Sequence, residues 1–528
     1  MFQKIRELSK NITIYGLGDV AVSIVSFFLL TVWVEYFNAR DYGVIGILGA
    51  IEVIAKIVFR FGLDGSFMRF YYDHEGEANR RRLASTIFLF LLLLNGAVLV
   101  ACLAASGAFA RAVLGGPEYT PALRLLLVNT FAIGFTFIPF HVLRMERKSV
   151  IYSALTLARS VLTIVLRLEL VIGFGLGITG LYLADVIVTT IILIALARWF
   201  APLIRPVFSR EILRESLRFG LPRVPHAAAQ QVMAIGDKFI LPIFVTMADV
   251  GVYSMAVSFG LTQKLFLAAF EVAWAPFYYA TVREPDARRV FRTVTTYGVA
   301  VVALLTAGLA ALGRDTAMTM THGYLLRPGD PRWSAVDTVI TWTAIGVFFQ
   351  GVYLLTSIGL NITKRSEYYP VATITAAATN VGLNFVLIPR FGIVGAAWAN
   401  GAAYLVQAWL GFYFSQRFYP IQYEWGRLTR VCLSGVIAAI AGRLIPALQV
   451  VRGQHEFLRQ VPWLLMRGTT VVAVFVALLA ATGFFQADEL RWLRSLRRRS
   501  QPVAVTIASP DSTEMAGEIV ATDLEAPQ

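Results

Sequence analysis

Long apolar runs separated by short, Arg-rich polar turns make up most of the chain. Leu83–Ala110, Thr293–Gly313, Thr338–Thr363, Tyr368–Pro389, Phe391–Gln416 and Gly468–Ala487 carry no charged residue at all. About 20 apolar residues cross the hydrocarbon core of a bilayer as a helix. The pattern therefore predicts an all-α polytopic membrane protein with about 14 transmembrane helices. The expected spans are 12–34, 42–62, 84–108, 122–143, 150–172, 177–199, 219–245, 250–280, 293–313, 336–360, 369–389, 393–416, 430–449 and 463–485. The first has a basic start, but it is too long for a signal-peptide core. No small-x-small site follows it, so it reads as an uncleaved span.

Composition agrees with the pattern. Hydrophobic residues are 57 % of the 528 and charged residues only 15 %, with a mean hydropathy of +0.65. The net charge of +14 would suggest a nucleic-acid partner in a soluble protein. Here the basic residues alternate with the spans. Segments on the side of the N-terminus hold several-fold more Lys and Arg than those on the other side, which predicts cytoplasmic termini and no nucleic acid. Cys102 and Cys432 fall in separate spans, so neither a disulfide nor a metal site is expected. The tail after Arg499 is polar and acidic and reads as disordered.

Weak internal repetition is visible. DYGVIGILG begins at Asp41 and DVGVYSMAV at Asp249, 208 residues later. Phe70-Tyr71-Tyr72 matches Phe277-Tyr278-Tyr279, and GITG at Gly177 matches GIVG at Gly392, which sets Asp185 opposite Asn400. Two six-helix lobes in the same orientation follow, with two C-terminal helices added. The expected division is 1–205 and 206–425 for the lobes, 426–490 for spans 13 and 14, and 491–528 for a basic, then acidic, cytoplasmic tail. Duplicated halves are a transporter layout, with the substrate path between them.

Ionisable residues inside spans mark candidate function, because a charge in hydrocarbon is costly. Glu52, Lys56 and Arg60 share one face of span 2 at i, i+4, i+8. They read as a stripe on a water-filled cavity, or as a Glu52–Lys56 ion pair with Arg60 reaching the interface. Arg159 lies mid-span in helix 5, with Arg167 and Glu169 near its end as groups that snorkel or pair. Span 7 carries Arg223, His226, Asp237 and Lys238, with Pro222 and Pro225 in its first turns. Asp237 and Lys238 point about 100° apart, so each needs a partner elsewhere. Lys264 and Glu271 share a face of span 8. Asp19 and Asp185 are single acids that could serve ion coupling. His226 reads as packed or cavity-lining rather than catalytic. The basic residues cluster in spans 2, 5, 7 and 8, a cationic cavity suited to a diphosphate or an acidic sugar. No HExxH, GxSxG or P-loop motif and no cluster of metal ligands appears, so no cofactor is expected.

FGLP at Phe219–Pro222, GDKFIL at Gly236–Leu241, DVGVYSMAVSF from Asp249 and NFVLIPRFGIVGAAWANGAAYLV from Asn384 resemble the Wzx-type polysaccharide and oligosaccharide flippases. These belong to the multidrug/oligosaccharidyl-lipid/polysaccharide (MOP) exporter superfamily. The likeness spans roughly residues 10–485. It implies MATE-like lobes forming a V around a central cavity. It also implies alternating access that carries polyprenyl-diphosphate-linked oligosaccharide from the cytoplasmic to the periplasmic leaflet of a bacterial inner membrane. H+ and Na+ are the candidate coupling ions, and the sequence does not choose between them. A polysaccharide polymerase and chain-length proteins would be partners, besides the lipid-linked substrate and membrane lipids. Such proteins often carry Arg where Lys238 stands; Lys keeps the charge and loses the bidentate fork. The alternatives are a cation-coupled multidrug antiporter, a peptidoglycan-precursor flippase, and a membrane glycan polymerase or ligase. An enzyme of that last kind would use the Arg314–Ala335 loop, with Asp315, His322 and Asp330.

Overall fold

A computed structural model describes residues 25, 28–73, 76–146, 148–221, 224–321, 326, 330–446 and 457–486. Asp19, Arg223, His322 and the tail 491–528 lie outside these residues. The described segments are helical, with no strand among them. The first half holds α1 (Leu30–Tyr36), α2 (Ala39–Arg60), α3 (Leu63–Asp73), α4 (Glu77–Phe109), α5 (Thr120–Met145), α6 (Ser149–Leu168) and α7 (Gly177–Phe200). A short amphipathic α8 (Arg210–Gly220) follows. The second half holds α9 (Val224–Ile235), α10 (Asp237–Phe244), α11 (Met247–Gly260), α12 (Lys264–Thr281), α13 (Ala287–Met320), α14 (Arg332–Thr356), α15 (Ile358–Ile362) and α16 (Tyr368–Phe418). The last two helices are α17 (Trp425–Leu444) and α18 (Phe457–Ala481). Eight helical stretches among the described residues are long and apolar enough to cross a membrane, so this is a multi-pass membrane protein. The chain divides into two compact units, Met1–Leu478 and Leu479–Gln528. Of the second, only residues 479–486 are described.

Several expected spans are not single straight helices. The span predicted at 219–245 is interrupted at Gly236, where the Asp237 carboxylate accepts from the Lys238 backbone N–H at 2.8 Å and starts α10. The span predicted at 250–280 bends through a 3₁₀ turn at Leu261–Gln263. There the Gln263 amide donates to the Ala344 carbonyl at 2.5 Å and accepts from Thr306 at 3.2 Å. Gly392, just after Pro389, has φ 55° and ψ −135°, and so breaks α16 between the two expected spans 369–389 and 393–416. Helix α13 runs on to Met320. Residues 314–320, expected as part of a loop, are therefore helical, and Asp315 is buried in an ion pair with Arg467 on α18. This removes Asp315 from any loop-borne catalytic set.

The repeated DxG segments explain their own similarity. Asn38 and Asp41 form a capping box at the start of α2, and Thr246 and Asp249 form another at the start of α11. Two residues on, Gly43 and Gly251 let α2 and α11 cross in contact. A Cβ at Gly43 would strike the Met247 carbonyl, one at Gly251 the Ala39 carbonyl, and one at Gly46 the Ser254 hydroxyl. Under the same 208-residue shift the first two pairings exchange and Gly46–Ser254 maps onto itself, so the crossing sits on a local two-fold axis. Beside it Arg332 reaches Asp249 at 3.7 Å and Asp330 at 2.8 Å, and its guanidinium holds the Asp330 carboxyl below the ordinary carboxylate range.

Helices α17 and α18 are tied to α13 and α14 by buried or half-buried arginines. Arg443 donates to the Ala310 carbonyl at 2.8 Å and pairs with Asp337 at 3.0 Å. Arg467 donates to the Gly442 carbonyl at 3.0 Å. Arg427 pairs with Glu424 at 2.8 Å, and Glu424 also meets Arg292 at 3.6 Å.

Candidate functional site

The charged stripe of α2 borders two cavities, Glu52 lining one and Lys56 and Arg60 the other. Glu52 and Lys56 pair at 2.6 Å, which realises the ion-pair reading of their i, i+4 spacing. Helix α2 ends in a left-handed residue, Phe61, followed by Gly62 with φ 69°. This turn swings α3 back so that Asp64 comes within 3.9 Å of Arg60. The Phe59 carbonyl, left free at the helix end, accepts from the buried Asn95 amide at 2.6 Å. A cavity of about 440 Å³ opens between the end of α2 and the start of α9, lined by Lys56, Arg60, Asp64, Val224, Ala227 and Gln231.

A second cavity of about 270 Å³ lies among α1, α2, α5, α6 and α7. Arg159 and Arg167, two turns apart on α6, both line it. Arg167 grips Asp185 of α7 with both arms, Nε to Oδ1 at 2.9 Å and an Nη to Oδ2 at 2.7 Å. Asp185, expected as a lone acid for ion coupling, is thus a paired one. Beneath it the Thr189 hydroxyl donates to the buried Asn129 amide oxygen at 2.6 Å. Arg159 has no ion-pair or hydrogen-bond partner among the described residues.

The second half gathers a different group. Asp237 is 2 % exposed and accepts from the Tyr253 hydroxyl of α11, the partner that its neighbour Lys238 could not be. The Asn400 amide donates to the Met233 carbonyl at 3.4 Å close by. Lys264 lies over the Tyr404 ring, 5.7 Å from its centre, as a cation–π contact. His226 is half-buried on α9, with its Nδ1 lacking a partner among the described residues. Glu271 is exposed on α12. None of His226, Asp237, Lys238, Lys264 and Glu271 lines either cavity. The structure brings together Glu52, Lys56, Arg60, Arg159 and Asp185. It adds Asp64, Trp33, Asn129 and Thr189, which sequence reasoning passed over, and draws in Arg167, read there only as a group that snorkels or pairs. Arg167 does share a helix face with Arg159 at i, i+8, but its partner on the next helix leaves no mark in the sequence.

The chain matches the family described as "Polysaccharide biosynthesis protein" over residues 8–279. It belongs to that family. No curated protein matches it significantly in sequence. Among solved structures it is similar to a lipid II flippase MurJ in an inward closed conformation. The two share 13 % identity over 92 % of this chain and 100 % of that one, with a TM-score of 0.69. It is also similar to an inward-facing multidrug resistance MATE family transporter of the MOP superfamily, at 15 % identity over 79 % and 98 % of the chains and a TM-score of 0.62. An outward-facing MATE family transporter gives 18 % identity over 80 % and 96 %, with a TM-score of 0.53. At these identities the likeness shows the fold, a MATE-like one, as the Wzx-type resemblance implied. The fold is thus one that a lipid II flippase and multidrug transporters share.

Proposed function

We propose that the chain is a flippase carrying polyprenyl-diphosphate-linked oligosaccharide from the cytoplasmic to the outer leaflet of a bacterial inner membrane, in polysaccharide biosynthesis. One observation carries the reading: α2 and α11 are in backbone contact where they begin, yet a cavity bordered by Lys56, Arg60 and Asp64 opens beside α2 where it ends. The excess of Lys and Arg on the side of the N-terminus supports a closed end outside and an open end, with both termini, in the cytoplasm. This is the inward-open half of an alternating-access cycle, with a lobe on each side of the seam.

The charges at the mouth are already paired, so a diphosphate would exchange partners rather than fill a vacancy. Its oxygens would take Lys56 and Arg60 from Glu52 and Asp64 by charge-assisted hydrogen bonds. The membrane potential aids the step, at about 2.3 kcal/mol per charge per 100 mV in the export direction for an anion. Coupling to H+ or Na+ is part of the proposal, but not through Asp185, whose two oxygens Arg167 holds. A polymerase and chain-length proteins would take over the exported units.

The test is the leaflet position of lipid-linked oligosaccharide in cells lacking the chain. Complete units accumulating on the cytoplasmic side are expected. Normal translocation would overturn the reading, and unpolymerised units on the outer face would move the assignment to a polymerase.

A further inference from the structure

Counted over the described residues, the cavity bordered by Trp33, Glu52, Asn129, Arg159, Arg167 and Asp185 is one negative charge short. Of the seven ionisable groups on this cavity and the neighbouring one, Lys56 has Glu52, Arg60 has Asp64, and Arg167 has Asp185. Arg159 alone is left over, with no partner among the described residues. It stands in the middle of the 20-residue α6, so about 15 Å of helix separates it from either end. A lipid headgroup at the membrane surface is out of its reach. An unbalanced guanidinium in a low-dielectric site is costly until an anion joins it. One monoanion completes the balance, while a dianion would leave a surplus in turn.

Shape and lining narrow the anion. The volume of about 270 Å³ lies just below the ~300–1,000 Å³ of most small-molecule sites, which suits one sugar ring rather than an oligosaccharide. Trp33 offers an aromatic surface for the C–H face of such a ring. The hydroxyls of Ser160 and Thr163 border the cavity. With its oxygen held by Thr189, the Asn129 amide keeps its N–H groups for a ligand. A planar guanidinium matches a carboxylate through two parallel hydrogen bonds.

We propose that this cavity is a subsite for a single hexuronate ring, its carboxylate on Arg159 and its apolar face on Trp33. The subsite takes its occupant from the flippase reading: the ring would be one residue of the carried glycan. The diphosphate is left to the other cavity.

Equilibrium binding to the purified full chain in lipid nanodiscs tests it. The probes are glucuronate, galacturonate and mannuronate against glucose, galactose and mannose, with acetate as a competitor. At least one uronate should bind tenfold or more tightly than its neutral parent. Arg159→Gln should erase that preference, and Arg159→Lys should keep part of it. Trp33→Ala should weaken acid and parent by the same factor. Each variant is compared as monodisperse protein, and partial function of Arg159→Lys guards against a folding defect. Equal binding of all three pairs to the wild type, or a preference that survives Arg159→Gln, overturns the subsite. Acetate competing as well as the uronates would reduce it to a bare anion site and overturn it too. Binding does not require transport. Uronate selectivity with normal leaflet positions in deleted cells would sink only the flippase reading. Stalled lipid-linked units without uronate selectivity would sink only the subsite.

Discussion

At the scale of single residues, the charges lining the two cavities are balanced pair by pair, Arg159 apart, and the geometry of each pair sets its worth. Arg167 and Asp185 form the best of them, bidentate and drawn from different helices. Asp185→Asn would leave Arg167 without its counter-charge. A fully dry broken pair costs about 3–5 kcal/mol. Arg167 keeps 36 % of its side chain exposed, so about 1–3 kcal/mol is expected here. Thermal unfolding in detergent should show this as a lowered midpoint, and the double variant Arg167→Met/Asp185→Leu should recover most of it. A double variant as unstable as Asp185→Asn would mean that the loss comes from packing, not charge. Glu52–Lys56 was legible in the sequence because i, i+4 on one helix is a fixed neighbourhood. Arg167–Asp185 was not, because no spacing specifies which helices become neighbours.

At the scale of elements, the crossing of α2 and α11 is where the repeat becomes mechanical. The capping boxes orient both helix starts, and the glycines behind them remove the side chains that would hold the helices apart. Gly251→Leu should prevent closure at that end. Spin labels at the exposed positions Tyr36→Cys and Phe244→Cys, in a background without the two native cysteines, would report it. A longer distance and lost transport are expected for Gly251→Leu. Gly49→Ala, whose Cβ meets nothing within 4 Å, should behave as wild type. An unchanged distance in Gly251→Leu would show that the crossing is not a gate. The cap itself is a smaller term: Thr246→Ala should cost about 1 kcal/mol, read as a shift in denaturation midpoint.

At the scale of the whole molecule, the two halves divide the charged residues unequally. Both cavities are bordered mainly by the first half, while Asp237, Lys238 and Lys264 sit in separate packed environments of the second. Arg159→Ala should therefore cut export at least tenfold at unchanged protein level in a complementation assay, whereas Glu271→Ala, on an exposed face, should complement fully. Loss of export in both would point to a general dependence on charge rather than to a cavity. Asp315→Asn should loosen α18 by freeing the buried Arg467, raising protease cleavage between α17 and α18.

Membrane residence, the positions of most helices, the duplicated DxG segments and the set of costly charges were all readable from the chain. Each depends on local composition or on spacing along one helix, where 3.6 residues per turn and a 30 Å hydrocarbon core leave few choices. The breaks at Gly236 and Leu261–Gln263, the helical fate of Asp315, the partners that charges find on other helices and the presence of two cavities beside α2 came only with the fold. They depend on which helix faces which, and burial energy is indifferent to that order until side chains of particular size meet. A glycine in an apolar run looks dispensable in one dimension. Against the carbonyl of a symmetry-related helix it is what lets two halves touch.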